Sequence, residues 1–278
     1  MRNPLPLLFA LLLPLCARAQ SPGGWKVTAS ETLPAPANGV AHHVVTLGRS
    51  SEDSATEATL HFVSFDAGEH TFRVLDQNTR SNASAAEALA AGGCVAGTNG
   101  GYFTENFDPL GLLVCDGRVV HAAGRSRLLT GTLLVTDSNH VSLRRNAADV
   151  RDVGKHVRQA IQCGPFLVED RRSVPGLNGT RAARRTAVFT DGGGRWGLVV
   201  CTPVTLEEFG ALLADPALLP GGLKIARALN LDGGGSTALW VRPAPGGRSV
   251  DPTPMSERGY VRDFVGIVPR VRAPGGRP

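Results

Sequence analysis

The chain has 278 residues, of which 42% are hydrophobic and 19% charged, enough to bury the core of one large domain or two small ones. Its formal net charge of +5 comes mostly from scattered basic residues rather than a basic block, so the composition does not call for a nucleic-acid partner. With 34 glycines and 19 prolines, the chain is expected to make many tight turns and few long helices.

Residues 1–19 have the pattern of a secretory signal peptide. Arg2 precedes an apolar stretch, and the sequence ARA at 17–19 provides a cleavage site after its last alanine. Cleavage there removes two arginines and lowers the formal charge from +5 to +3. Cys16 offers a lipoprotein alternative, although the large leucine before it does not suit that signal. The pattern predicts a periplasmic or secreted protein without a transmembrane segment, because no later apolar run could span a bilayer.

Export leaves four cysteines, which fit two disulfides in any of three pairings. Proximity along the chain favours the pairs Cys94–Cys115 and Cys163–Cys201, and the alternative is four buried thiols. The sequence contains no C-x-x-C pair or His–Cys cluster that would indicate a zinc site.

The first structured elements are predicted to be strands. Residues 20–39 contain several prolines and glycines and are expected to form an arm before the domain. Alternating apolar and polar residues then predict strands over 42–47, 58–66 and 71–77.

Two segments have the capping-box signature of a helix start. The capping pairs are Ser84 with Glu87 in a helix over 81–93, and Thr205 with Glu208 in a helix over 205–218.

The other apolar runs mostly flank turn sequences, which is typical of hairpins. These runs lie at 111–120, 130–143, 159–174 and 185–202; a short strand and glycine turn lie at 94–103, and the last strand lies at 260–271. No regular internal repeat is present. The chain is therefore expected to form one α+β domain over 40–272, with mixed, largely antiparallel sheets, a few covering helices and a loose tail at 273–278.

The most distinctive stretch is ALNLDGGGSTALWV at 228–241. Asp232 ends an apolar strand, and Gly233–Gly235 then leave the backbone bare, so that a ligand can approach it closely. Backbone N–H groups in such a turn can bind an anion, and Ser236 and Thr237 add hydroxyl groups. The structural alternative is an ordinary tight turn between two strands.

A second glycine turn has the sequence GTNGGYF at 97–103. Asn99 places a polar side chain beside Gly100 and Gly101, and an aromatic pair follows. An Asn-Gly turn alone is common in hairpins. Tyr102 and its neighbour belong either to the core or to a platform for a sugar ring.

A third candidate is the arginine at the start of RTAVFTDG, 185–192. The planar guanidinium of Arg185 could bind a phosphate, and the alternative is a solvated basic strand end. Together with the two glycine turns, it predicts a site for an anionic ligand rich in hydroxyl groups.

These stretches resemble the phosphodiester glycosidase family, of which the uncovering enzyme for lysosomal-enzyme mannose phosphate is typical. The family's N-G-G-[FY]-F, R-T-A-[IV] and N-L-D-G-G-G-S motifs correspond here to 99–103, 185–188 and 230–236, in the same order. The helix TLEEFGALL at 205–213 is similar to the family's helix before the last motif. The resemblance extends over about 90–268.

Two positions depart from the family pattern. Phe189 stands where glycine is commoner, and the segment ERGYVRD leaves either Arg258 or Arg262 to match the family's final arginine.

The resemblance implies hydrolysis of the sugar C1–O bond of a sugar 1-phosphodiester, with a glycan or sugar-phosphate as the substrate partner. It implies that Arg185 and the 233–235 amides bind the phosphate, that Asp232 is a nucleophile, base or stabiliser of an oxocarbenium-like transition state, and that Asn99 orients a sugar hydroxyl or water. The other expected substrate contacts are Gly100, Gly101, Tyr102, Thr186, Gly233, Gly234, Gly235, Ser236, Thr237 and Arg258. A second carboxylate is expected among Glu105, Asp108, Asp116 and Asp191.

Two other functions fit the same residues. One is a glycan- or exopolysaccharide-binding module without catalysis, because fold resemblance alone does not establish activity. The other is a hydrolase with Ser236 as nucleophile, although no G-x-S-x-G elbow surrounds that serine. No cofactor is expected, and the sequence leaves dependence on a divalent metal open.

Overall fold

The computed structural model describes residues 22–50, 55–77, 83–145, 156–244 and 251–270. The predicted signal peptide and the tail at 273–278 lie outside these residues. The described strands, in chain order, are β1 Lys26–Leu33, β2 Val40–Ser50, β3 Ala55–Asp66, β4 His70–Asp76, β5 Ala96–Asn99, β6 Leu113–Cys115, β7 Arg118–His121, β8 Gly131–Thr136, β9 Val141–Arg145, β10 Val157–Cys163, β11 Phe166–Glu169, β12 Arg172–Ser173, β13 Ala183–Thr190, β14 Arg195–Val204, β15 Arg227–Asn230, β16 Leu239–Val241 and β17 Asp263–Pro269. The described helices are α1 Ala85–Ala91 and α2 Leu206–Ala214.

The largest sheet has eight strands in the order β1-β2-β3-β14-β13-β15-β11-β12. Its edge strand β1 pairs with β2 from Lys26 opposite Gly48 to Leu33 opposite His42, and Trp25 just before it is buried. The segment predicted to be an arm before the domain therefore supplies an edge strand of the main sheet.

Two smaller sheets pack with the large one, in the orders β7-β6-β10-β8-β9 and β16-β5-β17-β4. The predicted hairpins β6–β7, β8–β9, β11–β12 and β13–β14 are all formed. The run at 159–174 divides at the cis peptide Gly164–Pro165, so that β10 and β11 enter different sheets. The chain thereby connects the layers close to the ends of β5 and β15.

Every strand pair in the described residues is antiparallel, and only two α-helices accompany the strands. The fold is therefore richer in β-structure than the expected α+β class, and its sheets agree with the expectation of largely antiparallel strands. Within the described part, no helix is both long and apolar enough to cross a bilayer.

Both predicted capping boxes are present. Ser84 and Thr205 accept hydrogen bonds from the amides three residues on, and the glutamates at those positions bind back to the cap amides. The second helix ends at Ala214 rather than at 218, because Asp215 is extended before a proline, which disfavours helical geometry at the preceding residue.

The predicted disulfides are wrong, because all four cysteines are free thiols. Cys94 packs in a cluster with α1, whereas Cys115 packs against the cluster between the sheets. Cys163 is buried in that central cluster and Cys201 in another, on the α2 side of the large sheet. Each predicted pair is thus separated by its packing, and burial raises the pKa of Cys94 to about 11.

Candidate active site

The three sequence motifs meet where the large sheet borders the four-stranded sheet. Strand β15 pairs with β13 in the first, and β5 pairs with β16 and β17 in the second. The chain leaving β15 crosses between them: the Leu231 amide donates to the Thr186 carbonyl at 2.9 Å, and the Asp232 amide donates to the Gly100 carbonyl at 2.9 Å. Asp232 is thus fixed by backbone contacts to both sheets.

The side chain of Asn99 connects these motifs through hydrogen bonds. Its side chain is fully buried, and its Nδ2 donates to the Asp232 carbonyl at 2.7 Å. Its Oδ1 accepts from Thr186 Oγ1 at 2.9 Å and from the Ala238 amide at 3.1 Å. Asn99 and Thr186 thus bind each other and the backbone; like the equally buried Thr237, they do not line the cavity beside Asp232.

A cavity of about 390 Å³ opens beside Asp232. The residues that line it are Tyr102, Asn178, Arg181, Ala183, Arg185, Leu206, Asn230, Asp232, Gly233, Gly234 and Gly235. One carboxylate and two guanidinium groups thus share one space, which suits an anion next to a reacting centre.

Asp232 is held as a half-buried carboxyl group. Its Oδ1 accepts from the Gly233 amide at 2.8 Å. Burial raises its pKa above the ordinary range, while hydrogen bonds from the Ser236 hydroxyl and the Gly233 amide oppose that rise. The Gly233 amide is therefore not free for a phosphate. The sequence had predicted that this amide would bind the phosphate.

Arg185 is a nearly buried cation with a fixed orientation. Its Nε donates to the Val204 carbonyl at 2.8 Å, and its Nη2 donates to the Arg181 carbonyl at 2.5 Å. The residue lines the cavity, as its predicted role requires. Arg181 lines the same space, and no motif indicated it; its position in an arginine-rich stretch was the available signal.

The three glycines of the 233–235 loop serve different purposes. A Cβ at Gly233 would lie 2.8 Å from the Arg184 carbonyl oxygen, and Gly234 has a φ of 60°. A Cβ at Gly235 would meet nothing within 4 Å. Glycine is therefore needed at 233 for close approach and at 234 for its backbone conformation.

Arg184 anchors this loop, and the sequence motifs gave it no role. Its guanidinium donates to the carbonyls of Gly234 at 2.9 Å, Gly235 at 3.1 Å and Ser256 at 2.7 Å. Since the C=O and N–H of a trans peptide point in opposite directions, the Gly235 amide points away from Arg184.

Asp263 is a second carboxyl group near the site that sequence reasoning missed. It is 1% exposed, its Oδ1 accepts from the Gly101 amide at 2.6 Å, and its carbonyl accepts from the Gly100 amide at 2.8 Å. Burial raises its pKa to about 7, with a further contribution from the charge of Asp232. Its sequence signal was weak, since it is one acid at the start of an apolar strand.

Other predicted contacts lie outside the cavity. Arg258 is exposed, and its backbone amide donates to the Gly235 carbonyl at 2.7 Å. Arg262, the alternative, is buried in an ion pair with Asp76 at 2.8 Å.

None of the four expected second carboxylates lines the cavity. Asp116 pairs with Arg73 at 2.7 Å, and Asp191 accepts amides of its own hairpin loop. The other two, Glu105 and Asp108, lie in the loop after the first glycine turn.

The geometry does not support Ser236 as a nucleophile. Its hydroxyl is hydrogen-bonded to Asp232, and all seven histidines are in the described residues without any of them lining the cavity. In the same residues, no group of three or more His, Cys, Asp or Glu side chains is placed to hold a metal ion.

Comparison with known proteins shows which family the chain matches. The model of the phosphodiester glycosidase family matches residues 92–268, which include all three motifs. No curated protein sequence matches the chain.

The fold is shared by solved structures, among them the following three. The catalytic domain of zebrafish N-acetylglucosamine-1-phosphodiester alpha-N-acetylglucosaminidase, auto-inhibited by its pro-peptide, is similar with a TM-score of 0.63 and 16% identity, over 87% of this chain and 88% of that one. A Burkholderia pseudomallei protein described as exported has a TM-score of 0.59 and 14% identity, over 90% and 98% of the two chains. A hypothetical protein of Synechocystis has a TM-score of 0.50 and 17% identity, over 89% and 68%.

Proposed function

Because the chain belongs to the phosphodiester glycosidase family, we propose that it is an exported hydrolase of sugar 1-phosphodiesters in an envelope or environmental glycan. The reaction breaks the bond between the anomeric carbon and the phosphate oxygen. The observation that supports this proposal is that Asp232 shares one cavity with the guanidinium groups of Arg181 and Arg185.

The arginines suit the phosphate. A phosphodiester carries one negative charge, and its departure from the sugar places a second charge on the leaving oxygen. Guanidinium forks match phosphate oxygens in geometry and charge, so that Arg181 and Arg185 stabilise the charge that develops. A leaving group of this kind needs less help from a general acid than an ordinary alcohol does.

Asp232 suits the role of general base. A nucleophilic carboxylate would require a second acid–base group to activate water for the next step, and no second carboxyl group among the described residues lines the cavity. The raised pKa of Asp232 increases its affinity for a proton. In the proposed step, water adds to the anomeric carbon, its proton passes to Asp232, and the phosphomonoester leaves with the electrons of the broken C–O bond.

The test is hydrolysis of a panel of sugar 1-phosphodiesters, including N-acetylglucosamine 1-phosphate esters, in water enriched in a heavy oxygen isotope. The proposal predicts equal amounts of free sugar and phosphomonoester, with the isotope in the sugar. Isotope in the phosphate would contradict it, because the P–O bond would then have broken. Parallel reactions with a chelator report whether a metal takes part.

A folded protein that binds these compounds without hydrolysing them would instead be a glycan-binding module.

A further inference from the structure

Asn230, the first residue of the NLDGGGS motif, has an amide with a fixed orientation. Its Nδ2 donates to the carbonyls of Gly164 at 3.0 Å and Leu231 at 2.6 Å, and to the Tyr102 hydroxyl at 2.8 Å. The two carbonyl oxygens can only accept hydrogen bonds. The nitrogen must therefore face them, and Oδ1 must face the other way.

The Oδ1 atom of Asn230 has no hydrogen-bond donor among the described residues. The residue is only 3% exposed and lines the cavity beside Asp232. The nearby Tyr102 hydroxyl cannot supply the proton, because it donates to the Gly164 carbonyl at 2.5 Å. A buried acceptor without a donor costs free energy, which a ligand with a donor would recover.

The chemistry of the cavity indicates which part of the ligand supplies that donor. Arg181 and Arg185 provide the positive charge for a phosphate, whereas Asn230 is the last residue of β15 and precedes Asp232 by two residues. A donor close to Asp232 belongs to the sugar rather than to the alcohol beyond the phosphate. Sugars offer two such donors, a hydroxyl and the N–H of an acetamido group.

We propose that Asn230 is a specificity-determining residue, whose Oδ1 accepts a hydrogen bond from one hydroxyl or acetamido N–H of the bound sugar. This inference rests on the proposed function. It assigns a role to the amide oxygen of Asn230, which has no hydrogen-bond donor among the described residues. The site rejects sugars that lack this single donor, because they leave the acceptor buried and unpaired.

The first test needs no variant. The wild-type protein is titrated calorimetrically with α-D-glucose 1-phosphate, its 2-, 3-, 4- and 6-deoxy analogues, and N-acetyl-α-D-glucosamine 1-phosphate. One deoxy analogue is expected to bind at least about tenfold more weakly than the best ligand, because it leaves Oδ1 without a donor. Equal binding of all analogues would overturn the inference, as would the absence of binding by any sugar phosphate.

The second test is the Asn230→Ala variant, checked for folding by near-ultraviolet circular dichroism. In this variant the dissociation constants of the discriminated analogue and the best ligand are expected to become about equal, so that their ratio falls to about one, because no acceptor remains. Ser142→Ala is the matched control: it also removes a buried polar group without a hydrogen-bond partner, but Ser142 does not line the cavity, so the ratio is expected to persist. Loss of the ratio in Ser142→Ala, or its persistence in Asn230→Ala, would overturn the inference.

Turnover of the phosphodiester panel separates this inference from the proposed function. Discrimination in binding without hydrolysis leaves Asn230 as a sugar contact and rejects the catalytic proposal. Hydrolysis without discrimination supports the catalytic proposal and rejects Asn230 as a sugar contact.

Discussion

The two glycine turns at this site have similar sequences and opposite surroundings. In the turn at 99–101, the polar groups are used within the protein: Asn99 binds three partners, and the Gly100 and Gly101 amides bind Asp263. In the loop at 233–235, the carbonyls are held by Arg184, and the glycines line the cavity. The first turn is thus a buried support, and the second lines the cavity in which we propose that the ligand binds.

The largest expected effect is in the buried turn. A Cβ at Gly100 would overlap Asp263 Oδ1 and lie 2.9 Å from Ile161 Cδ1. Gly100→Ala is therefore expected to lower the free energy of unfolding by about 3 kcal/mol, since overpacking is costly where neighbours cannot move. The urea unfolding midpoint measures this change, and an unchanged midpoint would show that the turn is not tightly packed.

A smaller effect is expected from the anchor of the cavity-facing loop. Arg184→Lys keeps the charge but cannot reach three carbonyls with one ammonium group, so a loss of about 1–2 kcal/mol of unfolding free energy is expected. The matched control is Arg158→Lys, because Arg158 is an exposed partner of Asp116 at 4.0 Å. Equal losses in the two variants, read from their urea midpoints, would argue against Arg184 as an anchor.

The buried turn also predicts a pH dependence through Asp263. Its pKa is raised from 3.8 to about 7, so the protonated form favours folding. That contribution is complete below the ordinary pKa and is lost as the pH rises through about 7. Asp263→Asn keeps an oxygen for the Gly101 amide and cannot ionise.

Wild type should therefore lose stability relative to Asp263→Asn between about pH 4 and pH 7. Melting temperatures of both proteins across this range provide the measurement, and a constant difference would contradict the buried titration. The charges that face Asp263 and influence its pKa are those of Asp232, Asp76 and Arg262.

The smallest effect on stability is expected in the cavity-facing loop. A Cβ at Gly235 meets nothing within 4 Å, so Gly235→Ala should change the free energy of unfolding by less than about 0.5 kcal/mol. Urea unfolding of this variant beside Gly100→Ala compares the two turns directly. Similar losses of unfolding free energy in the two variants would contradict the distinction between the buried turn at 99–101 and the cavity-facing loop at 233–235.

Local patterns in the sequence predicted local structure well. The hairpins, both capping boxes and the strand before Asp232 follow from residues that are close in the chain. The grouping of the three motifs into one site was predicted from their shared chemistry and from the family resemblance, not from their spacing.

The errors concern contacts between distant strands. The pairing of Phe264 with Asn99 brings Asp263 beside the first glycine turn. The sequence around Phe264 and the sequence around Asn99 do not predict this register. For the same reason Asn99 was expected to face the ligand, although its neighbours bury it. The cysteine pairs failed because proximity along the chain did not predict which core cluster each thiol enters.

The most direct test of the account compares wild type with Asp232→Asn on an N-acetylglucosamine 1-phosphodiester, measuring turnover and calorimetric affinity in both. A proton acceptor contributes a factor of about 10² to 10⁴, so the account predicts that turnover falls by at least about a hundredfold while affinity changes little. Retention of wild-type turnover by the folded variant would contradict the role of Asp232. Binding without turnover by both proteins would identify the cavity as a glycan-binding site instead.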